Sequence, residues 1–293
     1  MHLVECPRDA MQGLSHFIPT AQKTEYLQAL LAVGFDSLDF GSFVSPKAIP
    51  QLADTAEVLA GLDLSATPTK LLAIIANERG AEAATRHPQI TYLGYPLSVS
   101  ETFQQRNTNR GIAEALEDVA RIQERAVRAG QQLVVYLSMG FGNPYGDPYE
   151  PAILAGFTEK LVGLGISIVS LADTVGSGDA PTIEAAFRTL IPTFPTVTFG
   201  AHLHTTPATW EAKTAAAWSG GCRRFDGAIG GLGGCPMAGD TLTGNLPTEN
   251  LIAWLDERQI SLTLNRAALA EAQAIAAVTF LSSRYSAQVP SGA

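Results

Sequence analysis

His202 and His204 flank Leu203 at the end of an apolar run, Val197 to Ala201, that reads as a β-strand. Side chains at i and i+2 of a strand project to one face, so two imidazoles at this spacing can grip a single cation. Downstream, the glycine-rich stretch Gly230 to Pro236 leads to Gly244-Asn245, and bendable backbone beside metal-binding side chains suggests a metal site with a movable cover. Near the N-terminus, Arg8-Asp9 adds a guanidinium and a carboxylate. Two imidazoles, a carboxylate and an amide oxygen form a nitrogen–oxygen set without thiolate, which favours Mg²⁺ or Mn²⁺, with Zn²⁺ as the alternative. Taken singly, each piece also has a plain reading: an ordinary Arg8–Asp9 salt bridge, and one core and one surface histidine.

The rest of the composition narrows the function class. With 293 residues, 46% hydrophobic and only 16% charged, the chain can bury a large core. A net charge of −9 and the lack of a Lys/Arg cluster argue against nucleic acid or an anionic membrane surface as partners. The longest apolar runs, such as Leu71 to Ala76, fall well short of the ~18 residues of a spanning helix. The chain opens on strand-like His2-Leu3-Val4-Glu5 and not on an export signal. Cys6, Cys222 and Cys235 are sparse and lack CxxC spacing, so reduced thiols in a cytoplasmic protein are expected, with Cys6 and Cys222 as inert small hydrophobes.

Short apolar or β-branched runs alternate with segments of helical period, the rhythm of a parallel sheet. Strands are predicted at Leu3–Glu5, Ser37–Phe40, Leu71–Ala76, Ile90–Tyr95, Gln132–Ser138, Ser167–Ala172, Thr196–Ala201 and Arg224–Ala228. Helices are predicted at Thr20–Val33, Ser45–Gly61, Gly80–Arg86, Ile112–Ala129, Pro151–Gly163, Pro181–Leu190, Pro207–Ser219 and Thr248–Leu255. Eight strands suit an α/β TIM (β/α)8 barrel. The expectation is a single domain over 1–293: the barrel over 1–262, and a C-terminal helical segment over 263–293 packed on the barrel or on a second subunit. An open doubly wound sheet would show the same alternation, but no Gly-x-Gly-x-x-Gly, P-loop or Gly-x-Ser-x-Gly motif is present. In a closed barrel, chemistry sits at the C-terminal strand ends. Arg8 and Asp9 follow the first strand, Asp39 ends the second, Ser138 the fifth, Asp173 follows the sixth, His202 and His204 the seventh, and Cys235 the eighth. Closure brings the first strand beside the last, so Asp9 and the histidines can converge.

These residues, in order, resemble a known family. Val4 to Gln12, Ser42 to Lys47, Ser100-Glu101-Thr102-Phe103, Asp173 to Gly176, His202-x-His204, Gly231 to Pro236 and Gly244-Asn245 are similar to the successive motifs of hydroxymethylglutaryl-CoA lyase, a metal-dependent TIM-barrel enzyme. The glycine loop bearing Cys235 is the most specific part. The resemblance implies that Asp9, His202, His204 and Asn245 hold the metal and that Arg8 faces a thioester carbonyl. Asp39 stands where the family has a glutamate, Asp173 matches its active-site aspartate, and Cys235 its loop cysteine. Arg8, Gln12 and Ser138 are expected on the substrate, with Arg8, Asp39, Asp173, His202 and Cys235 as the catalytic set. Thr205 replaces the aspartate that usually follows the second histidine. The implied activity is retro-Claisen cleavage of 3-hydroxy-3-methylglutaryl-CoA, or a close β-hydroxyacyl-CoA, to acetyl-CoA and acetoacetate. A condensing or aldol-type relative acting on an oxo acid and a non-catalytic, metal-retaining barrel are the alternatives. The family also implies a homodimer. Lys47, Arg106 and Arg110 follow strands on the active face and are candidates for the CoA phosphates.

Overall fold

The computed structural model describes residues 1–234 and 243–286, with side chains described as far as Phe280. Eight parallel strands close into a barrel: β1 (His2–Glu5), β2 (Ser37–Ser42), β3 (Lys70–Ile74), β4 (Ile90–Ser98), β5 (Gln132–Ser138), β6 (Ile168–Ala172), β7 (Thr198–His202) and β9 (Arg224–Gly227). The seam joins β9 to β1, pairing His2 with Arg224 and Val4 with Asp226. This is the TIM (β/α)8 barrel expected from the alternation.

Helices wrap the outside because each presents an apolar stripe to the sheet. In α6 (Ile112–Arg128) the buried residues Ala115, Val119, Ile122 and Ala126 recur at helical spacing. In α8 (Ala180–Thr193), Ile183, Ala186, Phe187 and Leu190 do the same, and Asp179 caps the start by accepting from Thr182 N at 2.9 Å. The other covering helices are α2 (Thr20–Leu31), α7 (Pro151–Gly163), α9 (Trp210–Ser219) and α10 (Thr248–Glu257). The last helix, α11 (Arg266–Ser286), packs along α2, with Phe280 set edge-on to Tyr26 at 5.7 Å.

Three local departures from the sequence expectation matter for the site. The helix predicted over Ser45–Gly61 is a 3-10 turn, Pro50–Leu52, followed by the short α3 (Thr55–Ala60). Pro46 and Pro50 lack the N–H that a continuous helix there would need. Glu101–Thr108 forms a helix, α5, that the polar sequence did not suggest; Ser100 caps it by accepting from Phe103 N at 3.1 Å. Finally, His202 and His204 do not share a strand. His202 ends β7, whereas His204 opens β8 (His204–Thr205), which pairs antiparallel with β10 (Gly244–Asn245) outside the barrel. Among the described residues no helix is long and apolar enough to cross a membrane.

Candidate active site at the barrel mouth

Immediately after β1, Pro7–Gln12 forms the short helix α1, which starts on proline where a missing N–H costs nothing. It carries Arg8, Asp9 and Gln12 over the mouth of the barrel. A cavity of about 370 Å³ opens there. Its lining combines Arg8, Asp9, Gln12, Ser138, His202 and His204 with apolar Ile74, Ala76, Pro96 and Phe103. Six residues expected on the site therefore meet in one space.

Asp9, His202 and His204 each offer a ligand atom, all within 4.8 Å of one another. The two rings lie 5.3 Å apart. Their hydrogen bonds fix which nitrogen is left over. His204 Nδ1 lies 2.9 Å from the carbonyl oxygen of Thr174, and a carbonyl only accepts, so Nδ1 carries the proton and Nε2 the lone pair. That Nε2 is buried without a hydrogen-bond partner, a costly arrangement unless something else uses the lone pair. His202 Nδ1 likewise faces Asp226 Oδ2 at 3.2 Å, which leaves its Nε2 as the free donor. A buried, unpartnered imidazole nitrogen within reach of a carboxylate fits a divalent cation.

Electrostatics act on the same three groups in different directions. Burial, the largest single influence, would raise the Asp9 carboxyl, but the Arg8 guanidinium, His202, His204 and the Asn245 hydrogen bond together outweigh it and hold the group down at about 2. Burial lowers His204, and the neighbouring His202 lowers it further, so this ring stays neutral. At His202 burial opposes the charged form, yet the bond and charge of Asp226 prevail and the ring is raised. Cys6, His202 and Asp226 form a second cluster of ligand-type atoms. It makes a poor seat for a metal: Asp226 already binds Arg224 Nη1 at 2.9 Å, and burial holds the Cys6 thiol well above its ordinary range.

Arg8 is locked from two sides. Its Nη2 and Nε lie 2.6 and 3.0 Å from Asp39 Oδ2. Its Nη1 donates to Asp9 Oδ1 at 3.0 Å and to Gln12 Oε1 at 2.7 Å. Four of the five guanidinium hydrogens are thereby used, and one on Nη2 remains. Asp39 is buried and does not line the cavity; burial lifts its carboxyl to about 6 against the pull of Arg8.

Asn245 reaches the cluster from β10, but its amide nitrogen does the contacting: Nδ2 donates to Asp9 Oδ2 at 2.6 Å and to Leu232 O at 2.7 Å. Beside it, Gly233 has φ +93°, and an added Cβ would lie 2.6 Å from Asp9 O and 2.7 Å from Asn245 Nδ2. Only glycine fits there. Asp173 stands apart from the cavity lining, with Oδ1 accepting from Gly178 N at 2.9 Å and Oδ2 from Lys213 Nζ at 2.5 Å. Cys235 lies outside the described residues. Of the three surface cations, Arg110 pairs with Asp118, Arg106 stacks over Tyr145 at 4.7 Å, and Lys47 is exposed in the turn after β2.

Residues 4–276 match the model of the HMGL-like family. The chain belongs to that family. Within it, the chain is 34% identical over 95% of its length, and 92% of the relative's, to the 3-hydroxy-3-isohexenylglutaryl-CoA/hydroxymethylglutaryl-CoA lyase of Pseudomonas aeruginosa. It is 32% identical to the (R)-citramalyl-CoA lyase of Chloroflexus aurantiacus, covering 84% of this chain and 80% of the other. The crystal structure of the HMG-CoA lyase of Brucella melitensis superposes with a TM-score of 0.87 at 32% identity, covering 94% of this chain and 97% of that one. Membership of the HMGL-like family carries the assignment as far as a carbon–carbon lyase of the HMG-CoA lyase type.

Two buried residues in contact with the histidines of this HMGL-like site were not singled out from sequence. Asp226 orients His202 from the neighbouring strand, and its only sequence signal is a carboxylate two residues after Arg224 within an otherwise buried strand. Lys213 is a lone cation among Ala and Thr on the inner side of α9.

Proposed function

We propose that this protein cleaves 3-hydroxy-3-methylglutaryl-CoA, or a close β-hydroxyacyl-CoA thioester, to acetyl-CoA and the corresponding oxo acid in a divalent-metal-dependent retro-Claisen reaction. The observation that carries the reading is the convergence of Asp9, His202 and His204 within 4.8 Å in the cavity that Arg8 also lines. Asp9, His202 and His204, with Asn245 beside them, are the residues that would hold Mg²⁺ or Mn²⁺. Such a cation supplies Lewis acidity at the C3 hydroxyl, easing loss of its proton.

The remaining demands fall on the chain's own groups. The C3 hydroxyl proton goes to the metal-side cluster, where Asp9 and His202 face the cavity beside His204. The C2–C3 bond then breaks, its electron pair passing into the thioester as an enolate. Arg8 aims its remaining Nη2 hydrogen at the thioester oxygen, where negative charge grows, and a preorganised donor of this kind contributes about 3–4 kcal/mol. Gln12 and Ser138 position the acyl group. Cys235 returns a proton to C2 and completes acetyl-CoA. Asp39 holds the Arg8 fork. CoA is the expected carrier, and exposed Lys47 and Arg106 are the candidates for its phosphates.

The acyl group is the open variable, since a citramalyl-CoA lyase and a lyase of a longer branched glutaryl-CoA stand at similar identity. Purified protein should be incubated with HMG-CoA, (R)-citramalyl-CoA and 3-hydroxy-3-isohexenylglutaryl-CoA, each with Mg²⁺, with Mn²⁺ and with chelator. Acetyl-CoA release from at least one thioester, abolished by chelator, is the expected result. Release that persists in chelator, or from none of the three, defeats the reading. Consumption of acetyl-CoA when an oxo acid is supplied would favour a condensing relative.

A further inference from the structure

We propose that Lys213 is a positioning residue that fixes the donor face of His204 through the turn after β6, an inference that rests on the Asp9–His202–His204 cluster taking a divalent cation. Lys213 is 4% exposed, on the inner side of α9. Its Nζ donates to Asp173 Oδ2 at 2.5 Å, to Gly176 O at 2.8 Å and to His204 O at 2.9 Å. An ammonium has three hydrogens, so all are used. Two of the acceptors belong to the turn that follows β6, and the third is the backbone of the histidine itself.

The same turn sets the ring. Thr174 stands between Asp173 and Gly176 and presents its carbonyl to His204 Nδ1 at 2.9 Å. Lys213 therefore ties together the carbonyl that selects the tautomer and the main chain that carries the ring. Asp173 Oδ1 accepts from Gly178 N at 2.9 Å, closing the turn from its other end. Lys213 does not line the cavity, so it works through these neighbours. A histidine ligand whose second nitrogen loses its fixed partner can rotate or change tautomer, and loss of such outer support typically weakens metal binding 10- to 100-fold.

The test compares wild type, Lys213→Met and the double variant Asp173→Asn/Lys213→Met. Methionine keeps the length and apolar bulk of the lysine stem but none of its donors. The single variant leaves the Asp173 carboxylate buried without its cation, which perturbs folding by itself. The double variant removes both charges, so its fold is judged separately by thermal melting. Mn²⁺ binding is read on the full chain from the loss of the free-ion electron paramagnetic resonance signal. The double variant is expected to melt cooperatively and to bind Mn²⁺ about 10- to 100-fold more weakly than wild type. Wild-type affinity in a folded double variant overturns the role of Lys213 and leaves the cluster intact. Absence of Mn²⁺ binding by the wild-type chain overturns the metal reading and this inference with it. A second measurement needs no variant: imidazole ¹⁵N shifts of the wild-type chain should report His204 as the Nδ1–H tautomer, and the Nε2–H tautomer overturns the proposal.

Discussion

Arg8 and Asp39 form a fork: Nη2 and Nε both reach Asp39 Oδ2, at 2.6 and 3.0 Å, and Nε also lies 3.2 Å from Oδ1. Thirty-one positions separate the two residues, so the parallel pairing of β1 with β2, and not local sequence, creates the pair. The fork fixes the guanidinium plane and leaves Nη1 for Asp9 and Gln12.

A lysine cannot reproduce that plane, because its charge is a point on a flexible stem. Arg8→Lys is therefore expected to lose at least about 100-fold in kcat. Steady-state kinetics with whichever thioester the wild type cleaves will check this. A kcat within a few-fold of wild type would show that positive charge alone suffices at this position.

Asp226 holds His202 by its Nδ1 hydrogen, at 3.2 Å. Asp226→Asn keeps the shape but replaces the carboxylate that selects the tautomer and raises the ring. Mn²⁺ affinity is expected to fall about 10- to 100-fold. Calorimetric titration of the folded variant decides the matter, and an unchanged Kd would mean that His202 is oriented by other contacts, such as the edge of Tyr136 at 5.7 Å.

Glu5 gives a prediction about pH. It is fully buried at the end of β1, accepts from Ile229 N at 2.8 Å, and lies 2.5 Å from Thr248 Oγ1. Burial pushes its carboxyl up from 4.5 to about 8, more than these two bonds pull it down, with Glu249 adding to the rise. Below about 4.5 both folded and unfolded chains hold the proton. Between about 4.5 and 8 the unfolded chain releases it while the folded chain keeps it, so stability falls as pH rises; above about 8 the loss stops growing. Glu5→Gln has no proton to lose, and its melting temperature should decline less than that of wild type between pH 5 and pH 8. Parallel declines in the two proteins would remove Glu5 as the cause.

Much of this was legible in the sequence because strand positions are set by local composition. Gln132–Ser138 is a run of apolar and β-branched residues with no competing reading, and it forms β5 over those same residues. The polar α5 was hidden because its existence depends on the Ser100 cap and on packing of Phe103, not on a periodic stripe. At the site, Asp9, His202 and His204 were visible as chemical types, and the rhythm of strands implied their meeting. The strand argument for the two histidines was incomplete, since Leu203 marks a change of strand: the rings converge because β8 is held by β10, a pairing no local pattern announces. Asp226 and Lys213 were missed for a related reason. Each acts on a partner distant in sequence, Lys213 on Asp173 forty positions away, and only the folded register places them.

The β8–β10 ribbon and the tight seat of Gly233 against Asp9 have a joint consequence. Gly233 sits directly against the backbone of Asp9 and the amide of Asn245, and Asn245 in turn is paired with His204 across the ribbon. The donors of the cluster therefore share one fate: a side chain added at Gly233, or a lost β8–β10 pairing, would disturb Asp9, Asn245 and His204 together.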